Sequence, residues 1–575
     1  MDVKEIREDI DKLKSAWTYR NTKFKDWMDV LTLVDKLQRR GLESYVSNEP
    51  RTFFNMSLYL MTAGDTRHTI PAEGDSSIEL DKQSKVERAC AYMWRMLDEE
   101  RMRGGAYPFL HELCFNILVF GWYSMIAAFD TEQNKPILQV WSPNDVSPRY
   151  EDGRLTACVH EYSLDVKAAK RKAAANDWNY NPKITMGDVI LQDYFYVDEH
   201  NVLQNLILID SQPVTAVVPR ENLLLLVAPV GGFPETSIQQ ATNWSVNLGQ
   251  GIFAANTQVY EALNKWTTFQ LQLLRETAEP KWQEISSGAP KVEPERLRER
   301  GAVFQFSPGE GIQPIQSAPP PIELRGIIED LKRELQKGSF TDTVYGMAGG
   351  ERAGYILSQM ASSSANQILA PYVKAKHFII AECDRFWLRS IKTSKKVFVV
   401  KGKLLEKLRP TDIPEDVELE ASSELATPKD WLERATVANM LERHLDNTTI
   451  LDTILKVQDV GVINRRKSTD LIMTHPLSLN LRLIQAYRGY AKYMEYRGDR
   501  EQAAMFLKAA EALESQMGAP PPGAAKPAEA AEAEAKRAAA APPRRPRVRP
   551  EISPPEKQMA FTPEELGAMG LPGRS

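Results

Sequence analysis

The sequence predicts an α+β chain, mostly helical, with one β-rich region in its first half. Three observations predict it. From Trp244 to Glu279 there is no proline, and Ile252, Val259, Trp266 and Leu273 recur at heptad spacing, with Ala255, Ala262 and Phe269 three positions after the first three. That puts them on one face of a helix. Between Tyr123 and Val218 the apolar period drops to two, the mark of strands. From Pro321 onward the helical period returns and persists, with interruptions, to Met517.

In chain order, the first 40 residues read as two amphipathic helices. One uses Ile6, Ile10, Leu13 and Trp17; the other uses Phe24, Trp27, Met28, Leu31, Val34 and Leu37, with Gly41 as its stop. A helix over Pro50–Ala63 carries Arg51, Asn55 and Leu58, and an extended stretch, His68-Thr69-Ile70-Pro71, follows it. Helices over 84–102 and 107–119 come next. The apolar run from Phe115 to Phe129 holds Gly121 and is too short to span a bilayer; it reads as a buried helix end running into a strand. Strands are expected over Tyr123–Phe129, Ile137–Val140, Leu155–Tyr162, Val189–Val197, Val202–Ile209 and Val214–Val218. Trp141 to Pro148, with Pro143 and Pro148, reads as a loop.

The proline-free run would make a rod about 50–55 Å long, and one narrow apolar stripe on such a rod suggests neighbouring rods. Pro280 to Pro321 breaks the pattern with Pro290, Pro294, Pro308, Pro314 and Pro319-Pro320-Pro321. Inside it Ala302–Phe306 alternates like a strand and Ser307-Pro308-Gly309 reads as a turn. Leu324, Ile327, Ile328, Leu331 and Leu335 then mark a returning helix, started by Pro321 and stopped by Gly338. Tyr345–Gly350 lacks the G-x-G-x-x-G spacing and reads as a hinge. A second long helix runs from Glu351 to about Ile391, with Pro371 bending it rather than ending it, and a small, uncharged polar middle, Ser362–Gln367. Strands over Val397–Val400 and Val417–Glu420 are expected to complete the earlier sheet. Helices follow over Trp431–His444, Thr448–Val460, Asn464–Met473, Leu477–Arg497 and Arg500–Met517. The Pro- and Ala-rich end, with Arg544-Arg545-Pro546-Arg547-Val548-Arg549, cannot bury a core; its arginines could touch phosphates or simply be solvated. Thr562–Leu566 has a helix start.

Composition excludes several classes. A net charge of −5 does not suit a chain that coats nucleic acid. Cys90, Cys114, Cys158 and Cys383 are scattered, so neither a zinc site nor a disulfide framework is supported. The charged start, Met1–Glu5, is no signal peptide. No P-loop exists, and Gly402-Lys403-Leu404 lacks its Ser or Thr. No G-x-S-x-G elbow is present, and His68, His111, His160, His200, His377, His444 and His475 form no H-x-x-x-H pair. No catalytic, cofactor or metal residue is assigned, and the chain is read as not an enzyme.

This succession of long helix, Pro-rich apex, return helix, Gly break and Pro-containing helix resembles the portal proteins of tailed double-stranded DNA bacteriophages, over roughly Asn55 to Pro476. The Trp141–Pro148 connection with Asp152-Gly153 resembles their wing. The resemblance implies a wing over 1–242, an outgoing stem helix over 243–279, a clip over 280–321, a returning stem helix over 322–345, a tunnel helix with closing wing strands over 346–425, a helical crown over 426–517 and a tail over 518–575. It implies a ring of usually twelve subunits at one capsid vertex of the virion, assembled in the host cytoplasm, through which double-stranded DNA passes without sequence-specific binding. Its partners would be the terminase large subunit, the head–tail adaptor, the major capsid protein and the scaffolding protein, with no membrane and no cofactor. Gln359, Ser362, Ser363 and Asn366 are the channel-lining candidates, or else they face a neighbouring subunit. Arg296, Arg298 and Arg300 are the clip docking candidates. Ile252, Val259, Trp266, Leu273, Leu324, Ile328 and Leu331 are the subunit-interface candidates. The alternative is a soluble α+β ligand-binding protein or enzyme using the 120–230 strands, with a helical oligomerisation arm.

Overall fold

The computed structural model describes residues 3–518, apart from 39–42, 65, 71–76, 183–185, 235–243, 279–280, 291, 294, 297–302, 316–320, 342–343, 346–353, 402–404, 415–417, 424–430, 497–498 and most of 443–473. The chain is α+β, in two compact units, Met1–Arg466 and Lys467–Ser575.

The first unit begins with α1 (Val3–Thr32), one helix where two were expected. No breaker separates Trp17 from Phe24, and both face inward. The helix ends at Leu33, whose φ of 59° is left-handed, so Val34 and Leu37 lie beyond it. Its two halves serve different cores. Ile6, Ile10 and Leu13 pack on a sheet through Ala157, Val159, Tyr194, Leu206 and Leu208. Trp17, Phe24, Trp27 and Leu31 enter the main core with α2 (Glu49–Thr62), α3 (Ser77–Arg103) and α4 (Phe109–Phe120).

After the left-handed Gly121 the chain enters β2 (Trp122–Asp130), so the apolar 115–129 run is a buried helix end and strand as expected. β3 (Lys135–Val140) pairs with it. The stretch read as a loop contains β4 (Val146–Glu151): Pro148 is tolerated because β4 lies at the edge of its sheet. β5 (Arg154–Asp165), β6 (Asp188–Val197) and β7 (Leu203–Ile209) continue that antiparallel sheet. Alternate residues of β7 show the period of two: Leu206 and Leu208 face α1, while Ile207 and Ile209 face α5 (Val166–Ala175). Val214–Val218 is not a strand. Two short segments flank it, β8 (Gln212–Pro213) and β9 (Val218–Pro219), both paired to β7. β10 (Leu223–Pro229) was not foreseen; it joins the other side of β2.

The proline-free run is not one rod. A turn of helix at Trp244–Asn247 is followed by a break, and α6 spans Thr257–Ala278, 22 residues or about 33 Å. Glycines make the break. A Cβ on Gly251 would sit 2.0 Å from the Val119 carbonyl oxygen, and one on Gly249 2.4 Å from Trp122 Nε1. The backbone therefore lies directly on the α4–β2 corner. Ile252 N–H donates to Leu118 O (2.8 Å), and Trp122 Nε1 to Leu248 O (2.9 Å).

At the apex the strands are β11 (Trp282–Ile285) and β12 (Gly311–Pro314), paired antiparallel, and the described part of 302–306 is not strand. The turn at Ser307–Gly309 is present, with Gly309 at φ +90° and Glu310 N–H bonded to Ser307 O. The Glu310 carboxylate also accepts from Ser287, which fixes the pairing of 287 with 310 rather than with 302–306. α7 (Ile322–Lys337) returns. Gly338 caps it at φ −100°, so the glycine answers to packing: a Cβ would meet Asn256 Oδ1 at 2.4 Å.

α8 spans Gly354–Ser394 with Pro371 inside it. Among the described residues β13 (Phe398–Lys401) and β14 (Leu405–Leu408) pair only with each other, and β15 (Glu420–Ser423) pairs with β1 (Thr66–Thr69), the extended stretch after α2. They do not complete the larger sheet. Helix α9 spans Trp431–Leu441. Of the next two expected helices, Thr448–Val460 is described only at Ile450–Ile454, a π turn, and most of Asn464–Met473 lies outside the described residues.

The second unit holds α10 (Pro476–Tyr496) and α11 (Arg500–Gly518), close to the expected spans. The Arg544–Arg549 cluster and Thr562–Leu566 lie outside the described residues.

Candidate functional site

Two surfaces of the first unit hold most of the candidate residues. One is the arm formed by α6, the β11–β12 hairpin and α7. Its seam holds Leu263, Leu324 and Ile328, all buried, with Trp266, Leu273 and Leu331 packed around them. Three such side chains contribute about 1.5–3 kcal/mol each. Asn256 Nδ2 donates to Leu335 O (3.0 Å) at the base. The other flank of α6 carries the 43–47 segment: Thr268 and Asn264 accept from the backbone N–H groups of Tyr45 and Ser47. Burial fades outward, and 274–278 are exposed. Phe269, Leu274, Ile327, Trp282 and Ile285 remain exposed along the arm.

The other surface is the outer face of α8. The inner face is fastened at several points between 372 and 392. Tyr372 Oη donates to Gln250 O, and the buried Lys376 Nζ donates to Met61 O (2.8 Å) in the last turn of α2, where the helix dipole favours a cation. Burial lowers the Lys376 pKa. His377 Nε2 accepts from Ser423 N–H (2.9 Å), so its neutral form fits; burial, then Lys376, push its pKa down to about 4. Asp384 is fully buried and accepts from Trp94 Nε1 (2.8 Å) and meets His68 Nδ1 at 2.6 Å. Burial opposes charge on His68, but Asp384 outweighs it and the pKa rises. The face left outside carries Ser363, Asn366, Gln367, Ala370, Lys374, Phe378 and Arg389.

The expected residues divide as follows. Ser363 and Asn366 lie on this outer face; Gln359 and Ser362 are in α8, with their side chains outside the description. Arg296 is exposed at the apex, its guanidinium 5.8 Å from the Phe304 ring, while Arg298 and Arg300 lie outside the described residues. Ile252 is buried on the α4–β2 corner, not on α6, and Val259 packs on the main core. Trp266, Leu273, Leu324, Ile328 and Leu331 meet one another in the seam within a single chain. The exposed apolar positions of the arm are Phe269, Leu274, Trp282, Ile285 and Ile327; Phe269 and Ile327 belong to the apolar patterns read from the sequence, and the other three were missed. Lys374 and Phe378 were also missed; continuing the Ser363–Gln367 face by helical steps finds them. Burial pushes the thiols of Cys114 and Cys158 up to about 11 and about 12, so they are unreactive near neutral pH. Among the described residues no group of three potential metal ligands occurs.

No protein-family model matches the chain, and no curated protein matches it. Among solved structures, the chain is similar to the neck of an empty GTA particle computed with C6 symmetry: TM-score 0.38, 12% identity, 74% of this chain and 93% of the other. It is similar to the neck of a native GTA particle computed with C12 symmetry, at TM-score 0.33 and 13% identity over 65% and 88%. A chain from the virion of a native gene transfer agent particle follows, at 0.31 and 12% over 69% and 98%.

Proposed function

We propose that the chain is a portal-type subunit: it forms a ring, of about twelve copies, that admits and releases double-stranded DNA at one vertex of a phage-like particle. The observation that carries it is the arm. Two helices joined by a small β hairpin leave the main core, satisfy one seam internally, and still present Phe269, Leu274 and Ile327 outward. An arm with apolar residues left over after its own seam is filled suits packing beside identical arms in a heterologous interface that closes by rotation. The outer face of α8 suits the conduit. Its turns at 363–367 are uncharged and polar, and a passage must not neutralise many phosphates, because each one adds affinity and resists sliding. Twelve copies at −5 each carry about −60, which repels DNA on average.

In this assignment the apex, including Arg296, meets the terminase large subunit and later the head–tail adaptor. The β-rich region meets the major capsid protein, and the second unit faces the scaffolding protein and packaged DNA. The similarities to gene transfer agent structures, all with TM-scores under 0.5, add no weight. The test is solution mass with negative-stain images of the purified protein. Twelve copies at 65.0 kDa give about 780 kDa with a central hole. A protein that stays monomeric at high concentration and with scaffold present overturns the proposal.

A further inference from the structure

Helix α5 carries an unbalanced charge. Its inner face, Val166, Ala169 and Ala173, packs on the large sheet through Val189, Leu191, Ile207 and Ile209. The rest of the helix holds four cations, Lys167, Lys170, Arg171 and Lys172, and no acid. Lys172 is used within the chain: its Nζ bonds Tyr162 Oη and lies 5.7 Å from the centre of the Trp178 ring. The other three are exposed, and among the described residues they make no ion pair. At i, i+3 and i+4 they share one face, about 5–6 Å apart at their Cβ atoms. α7 shows the ordinary arrangement, in which Arg325, Arg333 and Lys337 each pair with an acid within one turn. On α5 the like charges repel, so they do not serve the helix. The macrodipole does not account for them either. It favours cations in the last turn, but Lys167 stands in the first turn, where a cation is disfavoured. Beside that first turn is Met186, which is 82% exposed: Val166 N–H donates to Gly187 O (3.1 Å), so the residue before Gly187 lies next to the start of the helix.

We infer that this face docks an acidic surface of a different protein, whose carboxylates meet Lys167, Lys170 and Arg171 while Met186 enters an apolar spot among them. Charge complementarity names the partner's chemistry, because these three cations are left without an acid in their own chain. The methionine favours a protein over a nucleic acid. An apolar centre inside a charged rim is the composition of a protein interface, whereas a phosphate backbone would meet the cations and leave Met186 in water. The ring that could stack on a base, Trp178, lies under Lys172. A chain of net charge −5 repels an acidic partner at a distance, so a local cationic face also sets the direction from which that partner approaches. The inference rests on the proposed function only in placing the partner in the same particle.

The test uses the full chain and a labelled octaglutamate peptide interrupted by one leucine. A carbodiimide joins carboxylates to lysine amines, and mass spectrometry of the digest reads which lysines were joined. Lys167 and Lys170 should couple about fivefold more than Lys12 and Lys25, which are exposed on α1, and the excess should vanish in high salt. Even coupling across the exposed lysines overturns the inference. So does removal of the excess by a short DNA duplex at equal charge, which makes the face a nucleic-acid site, and so does coupling of Lys167 to a second copy when no peptide is present. Lys167→Glu separates docking from folding. It places an acid in the first turn and one turn from Arg171, so the melting temperature should hold or rise while coupling at Lys170 falls about fivefold. A lower melting temperature, or unchanged coupling at Lys170, means that the cation serves the fold and overturns the docking role. Met186→Ser should weaken coupling about threefold, and no change overturns the apolar centre. Selective coupling on a chain that never forms a ring overturns the portal reading alone; even coupling on an intact ring overturns this contact alone.

Discussion

Arg20 sits where the two halves of α1 divide between their cores, and replacing it is the sharpest test of how that joint is held. Its guanidinium is 1% exposed, and its charge centre lies 4.6, 5.0 and 4.9 Å from the rings of Trp17, Phe24 and Trp122. Nη2 donates to Pro143 O (3.1 Å) and Val146 O (2.6 Å), and Nε to Asn21 Oδ1. These partners are carbonyls and an amide, not a carboxylate, and burial lowers the Arg20 pKa from its ordinary value. The charge is therefore held at a desolvation cost. Arg20→Ala loses the stem packing, about 2–3 kcal/mol. It also strips a carbonyl, about 1–3 kcal/mol; Pro143 O keeps the Val146 N–H, so only Val146 O is counted. The expected loss is about 3–6 kcal/mol. Arg20→Met keeps the stem and removes the buried charge, so its loss falls to about 1–2 kcal/mol. Arg20→Lys keeps a buried charge without the planar fork, and about 2–3 kcal/mol is expected. Urea unfolding followed by near-ultraviolet circular dichroism, to which the packed Trp17 and Trp122 contribute, reads the loss. The order Ala, Lys, Met from worst to mildest is the signature. If lysine proves milder than methionine, charge rather than packing governs the site and the reasoning fails.

Other outcomes follow from the same structure. Gly251→Ala drives a methyl into the Val119 carbonyl and should cost about 3 kcal/mol or more, read as a fall in soluble yield or melting temperature; a neutral result means the corner is not close-packed. Ile328→Ala should cost about 2–4 kcal/mol by opening the arm seam, visible in thermal melts, while Ile327→Ala should barely change the melt but lower the assembled fraction. His377 in α8 and His68 in β1 should answer pH with opposite signs. The folded pKa of His68 is raised, so its contribution is present below about pH 6.5 and is lost as pH rises through the folded value. That of His377 is lowered to about 4, so stability is lost as pH falls from 6.5 toward 4. Hence His377→Gln should flatten, and His68→Gln steepen, the decline in urea midpoint between pH 7 and 5; equal slopes would contradict both. Ser363→Arg should leave the fold within about 0.5 kcal/mol and slow DNA passage in an assembled particle, and unchanged packaging and ejection rates would remove this face from the conduit.

Most helices and the main strands were legible because their periods were clean, as in β7, where Leu206–Ile209 alternate between two cores. The failures have local causes. Absence of proline joined 244–256 to α6, although Gly249 and Gly251 mark a place where backbone must touch backbone; close approach is a tertiary fact that a periodic pattern does not contain. Pro148 disguised β4, since only the finished sheet shows it to be an edge. In the arm, heptad spacing found an apolar stripe and had no means of telling whether its partner was α7 of the same chain or a neighbour. Trp266 and Leu273 went to the nearer helix, Ile252 and Val259 went to the main core, and the candidate contact face keeps Phe269 of the stripe together with Leu274 and Ile327. The α8 face was half legible: its uncharged middle stood out, whereas Lys374 and Phe378 did not.

The four shielded thiols and the several backbone-anchored turns of α8 have a further consequence for mechanics. α8 is tied to α2 through Lys376, to β15 through His377, to α3 and β1 through Asp384, and to β2 through Trp387 Nε1, which donates to Ala128 O (3.1 Å). A pull along such a helix is shared among anchors on different elements, so no single bond carries it. These anchors run from 372 to 392. Over that span the helix behaves like a rod clamped at several points along its length, and a load entering at one end passes into several elements before it reaches the other.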